Sequence, residues 1–559
     1  MSDQHPLISL LLGRRNIPEN EHEQFLSPAY TDRPDPFLMK DMSVAVARIA
    51  EVIEKGEAIA AWTDYDCDGI PAGALLADVF AALEYPLRSY IPDRSEGYGL
   101  NTEGIQKLKD EGISLIITAD VGITNVAEVA YAQTQGIDVI VTDHHLPQEK
   151  LPPAVAVLNP HRTDCAYPYK ELCGTGVAFK LTEALFTHLR EKRDVPNACG
   201  IGQEKWLLDL VALATVADMV PLTGENRTLV QYGLLVLKKG RRKGLRALLE
   251  RMRIPLTHVT EDDFSFSIAP KINAASRMAS PLLGLELLTT NDEVRATELA
   301  KALIKLNDGR KLEGARVAKE VKRRVEGAPL ESVVVLGHSS WKPALLGIAA
   351  TNIVETYGRT TCLWGKEGDL IKGSCRSDGS VNIVSLLGHC NDVFEDFGGH
   401  EASGGFSLTQ EAIHALPEIL QKAYTAVASQ EEKKESTVVA DTTLSLSEVS
   451  VRTYRALRAL APFGVGNVKP VFEITNVRVE KMQWFGKSKE HVRLTLSDMQ
   501  GTTRDAIGFF ANRASFRHTL ELLSDGDIVT VYAAVEQSFF AGRNELRLRL
   551  ESITLKTER

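Results

Sequence analysis

The segment Asp64-Tyr65-Asp66-Cys67-Asp68-Gly69 follows the apolar run AIAAWT and precedes the apolar segment PAGALLADVFAAL. This order predicts a buried strand, a turn that carries three alternate aspartates, and then a helix. Carboxylates this close repel one another and are driven toward protonation unless a cation offsets their charge. The segment therefore predicts an α/β sheet whose first strand ends in a metal site.

Two other interpretations apply to an aspartate-rich turn of this kind. A solvated surface turn stays open when the motif is taken alone. A calcium-binding EF-hand loop would need a glutamate at the position where Leu75 stands. The EF-hand is therefore excluded, while the surface turn and the metal site remain.

The next strands predicted downstream end in the same kind of residue. LIITA runs into Asp120, VIVT runs into Asp143-His144-His145, and AVAVLN follows as a further strand. The helical segment NVAEVAYAQTQ lies between the first two, which is the alternation of a doubly wound parallel sheet. Ligands of such sheets bind at the carboxyl ends of the strands, so these side chains are expected to meet along one edge.

A further acidic residue, Asp218, stands in the apolar segment ATVADMVPL. An unpaired charge is very unfavourable to bury, and metal ligation would remove that cost. A helix cap or a buried salt bridge is the alternative for this residue. Aspartate and histidine ligands together suit Mn²⁺ or Mg²⁺ better than a metal bound by thiolates.

The remaining sequence predicts several further domains, since 559 residues are too many for one core. Residues 172–256 read as mostly helical, and 294–326 as one long helix that joins two α/β lobes. The second lobe comprises SVVVLG, a helix at 345–357, TTCLWG, IKGSC and a glycine-rich loop near Gly398, and SQEEKKEST is a polar linker. After Pro462, short alternating strands predict a C-terminal β barrel of the OB kind. The predicted domains are an N-terminal extension at 1–50, a catalytic domain at 51–290, the linking helix at 291–330, a substrate-binding domain at 331–430 and the barrel at 431–559.

Composition bounds the class of protein. No apolar stretch is long enough to cross a bilayer, and the N-terminus lacks the features of a secretory signal, so a cytoplasmic protein without a membrane partner is expected. Seven cysteines without a CxxC pair are expected to be reduced, packed thiols. The net charge of −10 argues against a general polyanion binder, although residues 238–253 carry eight basic side chains against Glu250. A solvated helix face is the alternative for that run.

The motifs resemble those of a known family in their order along the chain. DYDCDG, TADVGITN, VTDHHLP and ATVADMVPL resemble the successive motifs of the DHH phosphoesterases, and KINAASRM, GSCRS and GGHEASGGF resemble later motifs of the RecJ branch. PENEHEQFLSP and APFGVGNVKPVF, which would open the β domain, extend the resemblance over nearly the whole chain. The first lobe is thus similar to a DHH domain and the second to a DHHA1 domain.

The resemblance implies a site with two divalent ions, Mn²⁺ or Mg²⁺. It makes Asp120 the bridging ligand and places three catalytic residues behind the ligands or facing the substrate, namely Asp64, Asp143 and His145. The ligands it implies are Asp66, Asp68, Asp120, His144 and Asp218. Trp62 departs from the pattern, because many DHH proteins have a histidine there, and this leaves the coordination of one ion open.

The substrate implied by the resemblance is single-stranded DNA, degraded from the 5′ end in repair and recombination. The residues implied to bind its phosphates are Arg94, Arg277, Ser374, Arg376, Gly399 and His400. Taken alone, each arginine is as well explained by a surface salt bridge and the glycines by an ordinary turn. The barrel aromatics that could stack on bases, several of which the barrel core would take instead, are Trp484, Phe485, Phe509, Phe510, Phe539 and Phe540. A single-strand-binding protein or a helicase is a candidate partner.

Two alternative functions are considered. One is a phosphodiesterase for short oligonucleotides or cyclic dinucleotides, an activity of other DHH proteins that generally lack the N-terminal region and the barrel. The other is a non-catalytic replication scaffold, which would be expected to have lost ligands. No GxSxG motif is present, so direct attack by metal-bound hydroxide is expected rather than a covalent intermediate.

Overall fold

The computed structural model describes residues 6–191, 199–326, 330–428, 438–486, 489–540 and 543–556. By packing, the chain divides into two compact units. The first comprises Met1–Asn307 and Arg455–Lys469, and the second Asp308–Tyr454 and Pro470–Arg559. The predicted linker at 429–437 and the side chains of Phe539 and Phe540 lie outside the described residues.

The first unit is built on a parallel sheet with the strand order β2-β1-β3-β4-β5. Along β1, Ala61 packs in one hydrophobic cluster and Trp62 in another, so both faces of the sheet are covered. The strands are β1 (Ile59–Thr63), β2 (Leu87–Tyr90), β3 (Leu115–Ala119), β4 (Asp138–Thr142) and β5 (Ala156–Leu158). The predicted doubly wound sheet is confirmed, whereas the half-exposed edge strand β2 was not predicted because it has no apolar periodicity.

The helices of the first unit surround this sheet and extend beyond it. The region at 172–256 is helical as predicted. The helices are α1 (Pro6–Arg14), α2 (His22–Leu26), α3 (Met42–Lys55), α4 (Gly69–Ala82), α5 (Thr102–Asp110), α6 (Val126–Thr134), α7 (Gly174–Glu191), α8 (Leu208–Ala217), α9 (Gly224–Leu237), α10 (Lys243–Arg251), α11 (Ala269–Met278) and α12 (Leu282–Thr289).

The long helix predicted at 294–326 is confirmed as α13 (Glu293–Val325), and it leads into the second sheet. That sheet has the order β6-β7-β8-β10-β9, with only the β6–β7 pair parallel. Its elements are β6 (Val333–Gly337), α14 (Pro343–Tyr357), β7 (Thr360–Glu367), β8 (Leu370–Arg376), α15 (Ile383–Gly388), β9 (Asp396–His400), β10 (Ser403–Leu408) and α16 (Leu416–Ala428).

The glycine-rich segment near Gly398 is an antiparallel hairpin and not the predicted loop. Gly399 pairs with Gly404 across strands β9 and β10. A Cβ on Gly399 would lie 2.3 Å from the carbonyl oxygen of Ser403, and its φ is +148°. The glycines therefore permit close strand pairing at this point rather than breaking the strands.

The predicted C-terminal barrel is confirmed as a closed sheet. Strands β12, β13, β14, β16 and β15 follow one another, and β12 pairs with β15 to close the ring. The elements are β11 (Thr442–Thr443), α17 (Val451–Leu457), β12 (Phe472–Phe485), β13 (His491–Ser497), β14 (Thr503–Gly508), α18 (Arg517–Leu522), β15 (Ile528–Phe540) and β16 (Arg543–Leu555). Residues 455–469, which the sequence analysis assigned to the barrel domain, pack with the first unit instead.

Among the described helices, none combines the length and apolar character that a membrane span requires. The basic run at 238–253 is partly neutralised by ion pairs. The side chain of Arg242 is nearly buried and contacts Asp209 at 2.9 Å and Asp78 at 3.0 Å, while Lys243 and Arg246 face Glu293. These contacts favour the structural interpretation of the run.

The buried pairs of Arg242 lead to a stability prediction. We expect Arg242→Met to lower the free energy of unfolding of the first unit by about 3–5 kcal/mol, because Asp209 and Asp78 would lose their cation. Urea unfolding followed by circular dichroism measures the change. Arg241→Met is the matched control, since the exposed Arg241 stacks on Trp206. Equal unfolding midpoints for the two variants would contradict the prediction.

Candidate metal centre

Hydrogen bonds that continue beyond the strands hold the candidate residues in register. The amide of Asp64 donates to the carbonyl of Ala119 (3.3 Å), and the amide of Asp120 donates to that of Thr142 (3.0 Å). The amide of Asp143 likewise donates to a carbonyl of β5. The carboxyl ends of β1, β3 and β4 thus bring these three aspartates to one edge of the sheet, as predicted from the sequence.

The turn after β1 orients Asp66 and requires a glycine. One oxygen of Asp66, Oδ1, accepts hydrogen bonds from the amides of Asp68 (2.7 Å) and Gly69 (3.1 Å). A Cβ on Gly69 would lie 2.3 Å from the carbonyl oxygen of Asp64. The Asp-rich turn is therefore a tightly closed one whose side chains are fixed by its own backbone.

The start of helix α7 holds the fully buried Asp68. The amides of Gly174 and Thr175 donate to the two carboxylate oxygens of Asp68 at 2.6 and 2.7 Å, and the Thr175 hydroxyl donates to the Asp68 carbonyl. A Cβ on Gly174 would lie 2.5 Å from Cβ of Asp120. The sequence analysis missed this CGTG element, whose signal is a pair of glycines at the start of a helix.

Three groups of ligand atoms converge, each with its atoms within 4.8 Å of one another. The Nε2 atom of His144 lies 3.2 Å from Asp120, 3.6 Å from Asp218 and 3.8 Å from Asp68. Asp120 belongs to two of the groups, which suits a bridging ligand. The groups are Asp64, Asp66 and Asp120; Asp68, His144 and Asp218; and Asp120, His144 and His145.

Asp64 is therefore placed as a ligand candidate, and not only behind the ligands as the resemblance implied. Trp62 points away from this group, since it packs in the cluster on the other face of the sheet and donates its indole N–H to Gly99 (3.2 Å). Asp218 lies at the end of α8 and joins the cluster through His144. All five ligands implied by the resemblance are thus gathered at one edge.

The electrostatics of the cluster fit a bound cation. Burial, followed by the neighbouring carboxylates, raises the pKa values of Asp64, Asp120 and Asp218 well above the usual range. Asp64 Oδ1, Asp120 Oδ1 and His144 Nε2 are buried and have no hydrogen-bond partner among the described residues. Burial also lowers the pKa of His144, which favours the neutral imidazole that a metal requires. Divalent cations would satisfy all of these atoms at once.

Asp143 holds the histidine pair in position. Its Oδ1 accepts hydrogen bonds from the amides of His144 and His145, and lies 2.8 Å from Nδ1 of His145. Burial opposes ionisation of Asp143, but the hydrogen bond from His145 lowers its pKa. The His145 carbonyl accepts from Asn159 (2.8 Å), so both ends of this histidine are anchored.

The predicted substrate residues of the first unit lie beside Tyr65. The Arg94 guanidinium lies 4.1 Å from the centre of the Tyr65 ring, and Arg94 Nε is buried with no hydrogen-bond partner in the described ranges. Burial raises the pKa of Tyr65 to about 12, opposed by the positive charges of Arg94 and of Arg277 on α11. The Arg94 side chain thus lies against the tyrosine of the Asp-rich turn, and the charge of Arg277 acts on the same tyrosine.

The predicted substrate residues of the second unit share neighbouring strands. Ser403 of β10 lies between Arg376 of β8 and His400 of β9 in the register of the sheet. Ser374 is two positions before Arg376, and Gly399 precedes His400. The guanidinium of Arg376 donates to the carbonyl of its neighbour Cys375 (2.7 Å), and burial lowers its pKa. Arg376 and His400 thus share one row of this sheet, Gly399 lies in the next row and Ser374 in the row after that.

Comparisons with known proteins match three parts of the chain. The family models described as DHH family N-terminal domain, DHHA1 domain and RecJ OB domain match residues 58–215, 330–429 and 440–552. The chain is 31% identical to the single-stranded-DNA-specific exonuclease RecJ of Haemophilus influenzae over 91% of this chain and 90% of that protein. It is 32% identical to that of Dickeya dadantii, over 92% and 91%. It is 33% identical to that of Bacillus subtilis over 90% of this chain, but spans 63% of that protein.

Solved structures of RecJ proteins also resemble this chain in fold. The crystal structure of RecJ in complex with Mn²⁺ from Thermus thermophilus superposes with a TM-score of 0.79 at 27% identity, over 99% of this chain and 76% of that one. A crystal structure of exonuclease RecJ bound to manganese has a TM-score of 0.60 at 32% identity, over 70% and 97%. The architecture described above is therefore that of proteins crystallised with Mn²⁺.

The contact between Gly174 and Asp120 leads to a prediction about metal binding. We expect Gly174→Ala to weaken Mn²⁺ affinity by about 10–100-fold, because the added methyl group displaces Asp120 and the amides that hold Asp68. Titration of the protein with Mn²⁺, with free ion followed by electron paramagnetic resonance, measures this. Gly176→Ala in the same helix is the control, since its Cβ would meet Leu172 at an ordinary 3.4 Å. Unchanged affinity in Gly174→Ala would refute the role of this contact.

Proposed function

The chain belongs to the RecJ family, and we propose that it is a metal-dependent exonuclease that hydrolyses phosphodiester bonds of single-stranded DNA. The observation that carries the proposal is the group of buried ligand atoms on Asp64, Asp120 and His144 that lack hydrogen-bond partners within the described part of the chain. A protein that bound no cation would hardly tolerate these charges side by side. A non-catalytic scaffold would have no need for these ligand residues.

Hydrolysis follows from the chemistry that such a site supports. Two Mn²⁺ or Mg²⁺ ions bound there would lower the pKa of a water molecule and neutralise charge on the scissile phosphate. We assign Asp66, Asp68, Asp120, His144 and Asp218 as ligands, with Asp120 shared between the ions. Asp64 also belongs with this set, because its carboxylate lies in one group with Asp66 and Asp120.

The chain's own residues would then orient the substrate. Asp143 fixes His145, whose Nδ1 is engaged by that carboxylate, so that Nε2 is the ring nitrogen left to face a phosphate oxygen. The hydroxyl of Tyr98 donates to the carbonyl of Asp120 (3.3 Å) and lies 3.4 Å from His145. Asp143 is therefore a positioning residue, and His145 is the catalytic residue that would touch the substrate.

Phosphate recognition would set the end from which the strand is degraded. Arg94 and Arg277 beside the Asp-rich turn are suited to charge-assisted hydrogen bonds with a terminal 5′ phosphate. Ser374, Arg376, Gly399 and His400, on neighbouring strands of the second unit, are suited to contacts with phosphates of the same polymer. The direction supported by these assignments is 5′ to 3′.

The barrel supports a single-stranded polymer as substrate. Partly exposed rings of Phe485, Phe509 and Phe510 surround His491, with centroid distances of 4.8–5.5 Å. Arg547 lies 5.3 Å from the Phe509 ring, and a cleft of about 920 Å³ lined by Phe485 and Arg547 opens on the same strands. Aromatic rings next to cations stack on unpaired bases without regard to sequence.

A helicase or a single-strand-binding protein is the class of partner that would present such a strand, and the cytoplasm is the proposed location.

The shared ligand allows a direct test of the function. We expect Asp120→Asn to reduce Mn²⁺-dependent hydrolysis of 5′-labelled single-stranded DNA by at least about 10²–10³-fold, because both ions would lose a charged ligand. The rate of nucleotide release measures this, with duplex DNA and a dinucleotide as competing substrates. The exposed Asp110→Asn serves as control. Full activity in Asp120→Asn, or release from the dinucleotide alone, would overturn the proposal.

The role of Arg94 predicts a change in end preference. We expect Arg94→Ala to reduce the preference in kcat/KM for a 5′-phosphorylated over a 5′-hydroxyl strand by about 10–100-fold, the loss of one hydrogen bond to a charged group. Single-turnover digestion of the two strands measures this ratio. Arg88→Ala removes an exposed arginine that pairs with Glu111 and is the matched control. A ratio unchanged from the wild type would refute this role.

A further inference from the structure

Residues Arg458–Lys469, here called the docking segment, immediately precede the barrel in sequence but pack with the first unit. They contain the APFGVGN motif, which the sequence analysis placed at the opening of the β domain. A linker between domains would be expected to make few contacts with either of them. The docking segment instead makes many specific contacts, described in the following paragraphs.

A buried arginine anchors the first part of the docking segment. Arg227 on α9 is 2% exposed and donates to the carbonyls of Leu460 (2.8 Å) and Ala459 (3.2 Å). The adjacent Gln231 donates to the carbonyl of Ala461 (3.0 Å). These carbonyls are thus satisfied by side chains of the catalytic unit rather than by secondary structure of their own.

A buried glutamate anchors the same segment from another side. Both carboxylate oxygens of Glu261, which is 1% exposed, accept from Arg458 at 2.9 and 3.1 Å. The amide of Phe463 donates to Glu261 as well (3.0 Å). Burial opposes ionisation of Glu261, but the positive charge of Arg458 lowers its pKa. This anchor is therefore a charged pair with a fully buried carboxylate and a partly exposed arginine.

The tip of the docking segment rests on the loop that carries Asp218. The amide of Leu222 donates to the carbonyl of Val465 at 2.7 Å. Gly466 has a φ of +72°, and a Cβ there would lie 3.2 Å from both Pro221 and Thr223. A Cβ on Gly464 would lie 2.7 Å from Leu222. The backbone of the segment thus lies directly against the loop.

That loop is short and has little freedom of its own. It runs from Asp218, at the end of α8, to Thr223, before α9. The Tyr169 hydroxyl donates to the carbonyls of Thr223 (2.9 Å) and Pro221 (3.3 Å), so the far end of the loop is held by a second contact. A displacement of Leu222 therefore has only the three intervening residues in which to relax before it reaches Asp218.

We propose that the docking segment is a positioning element for the metal site, which sets the place of the Asp218 carboxylate through the loop at 218–223. The inference rests on the proposed function, since it assumes that Asp218 binds an ion. Its effect is confined to the ion shared by Asp68, His144 and Asp218. The group of Asp64, Asp66 and Asp120 follows the ends of β1 and β3, which the segment does not touch among the described contacts.

The test is the binding of Mn²⁺ alone to the full chain without DNA, followed by electron paramagnetic resonance of the free ion. We expect the wild type to bind two ions, and Gly466→Ala to bind one of them about 10–100-fold more weakly while the other is unchanged. Gly56→Ala is the matched control, because Gly56 has a similar φ of +69° but open space at its Cβ position. The control separates backbone strain from contact with the loop.

The outcomes distinguish this inference from the proposed function. Two ions bound by Gly466→Ala with wild-type affinities would overturn the inference, as would equal weakening of both ions. A wild type that binds no second ion would instead contradict the two-metal assignment. Thermal unfolding without metal identifies a variant that fails to fold, and Asn467→Ala then replaces Gly466→Ala. It removes hydrogen bonds to the carbonyls of Leu460 (2.8 Å) and Pro462 (2.7 Å) within the segment and is expected to give the same selective loss.

Discussion

Repulsion between buried carboxylates at one edge of the first sheet is the constraint on which the rest of the structure depends. Asp64, Asp68 and Asp120 are each at most 5% exposed, and burial, followed by the charges of neighbouring acids, raises the pKa values of Asp64 and Asp120. In a low-dielectric interior such charges cost several kcal/mol each unless they are compensated. Folding without cations would therefore leave this edge protonated or distorted, whereas bound cations turn the same repulsion into a strong and selective site.

The surrounding backbone fixes the carboxylates in the geometry that cations need. Asp68 accepts from two amides at the start of α7, Asp66 from two amides of its own turn, and Asp143 from the amides of both histidines. These donors orient the oxygens without adding a competing positive charge. A Cβ atom on Gly69 would collide with the backbone of Asp64, and one on Gly174 would collide with Asp120, so neither position has room for a side chain. The orientation of Asp66, Asp68 and Asp143 is therefore largely a property of the main chain around them.

The sequence predicted those parts of the fold that depend on local periodicity. The strands before Asp64, Asp120 and Asp143 are short apolar runs, and the parallel connection of such runs brings their ends together whatever the packing around them. The hydrogen bond from Gly174 to Asp68 joins residues that are 106 positions apart, so no local periodicity in the sequence predicts it. The hairpin at Gly399 was taken for a loop because glycine disfavours strands in general, while here it permits close pairing. The basic run at 238–253 was ambiguous because the partners of Arg242 are distant in sequence.

The boundary before the barrel shows how sequence and packing can divide a chain differently. The pattern of strands changes after Pro462, so a boundary upstream of that point is natural from the sequence. Yet Arg458 and Phe463 bind Glu261, and Val465 binds Leu222. A truncation that begins at residue 431 would therefore remove part of the catalytic unit together with the barrel. It would expose the buried Glu261 without its cation, so lost activity would not by itself report on the barrel. A cut after Lys469 retains these contacts and removes all five strands of the closed ring, β12 to β16.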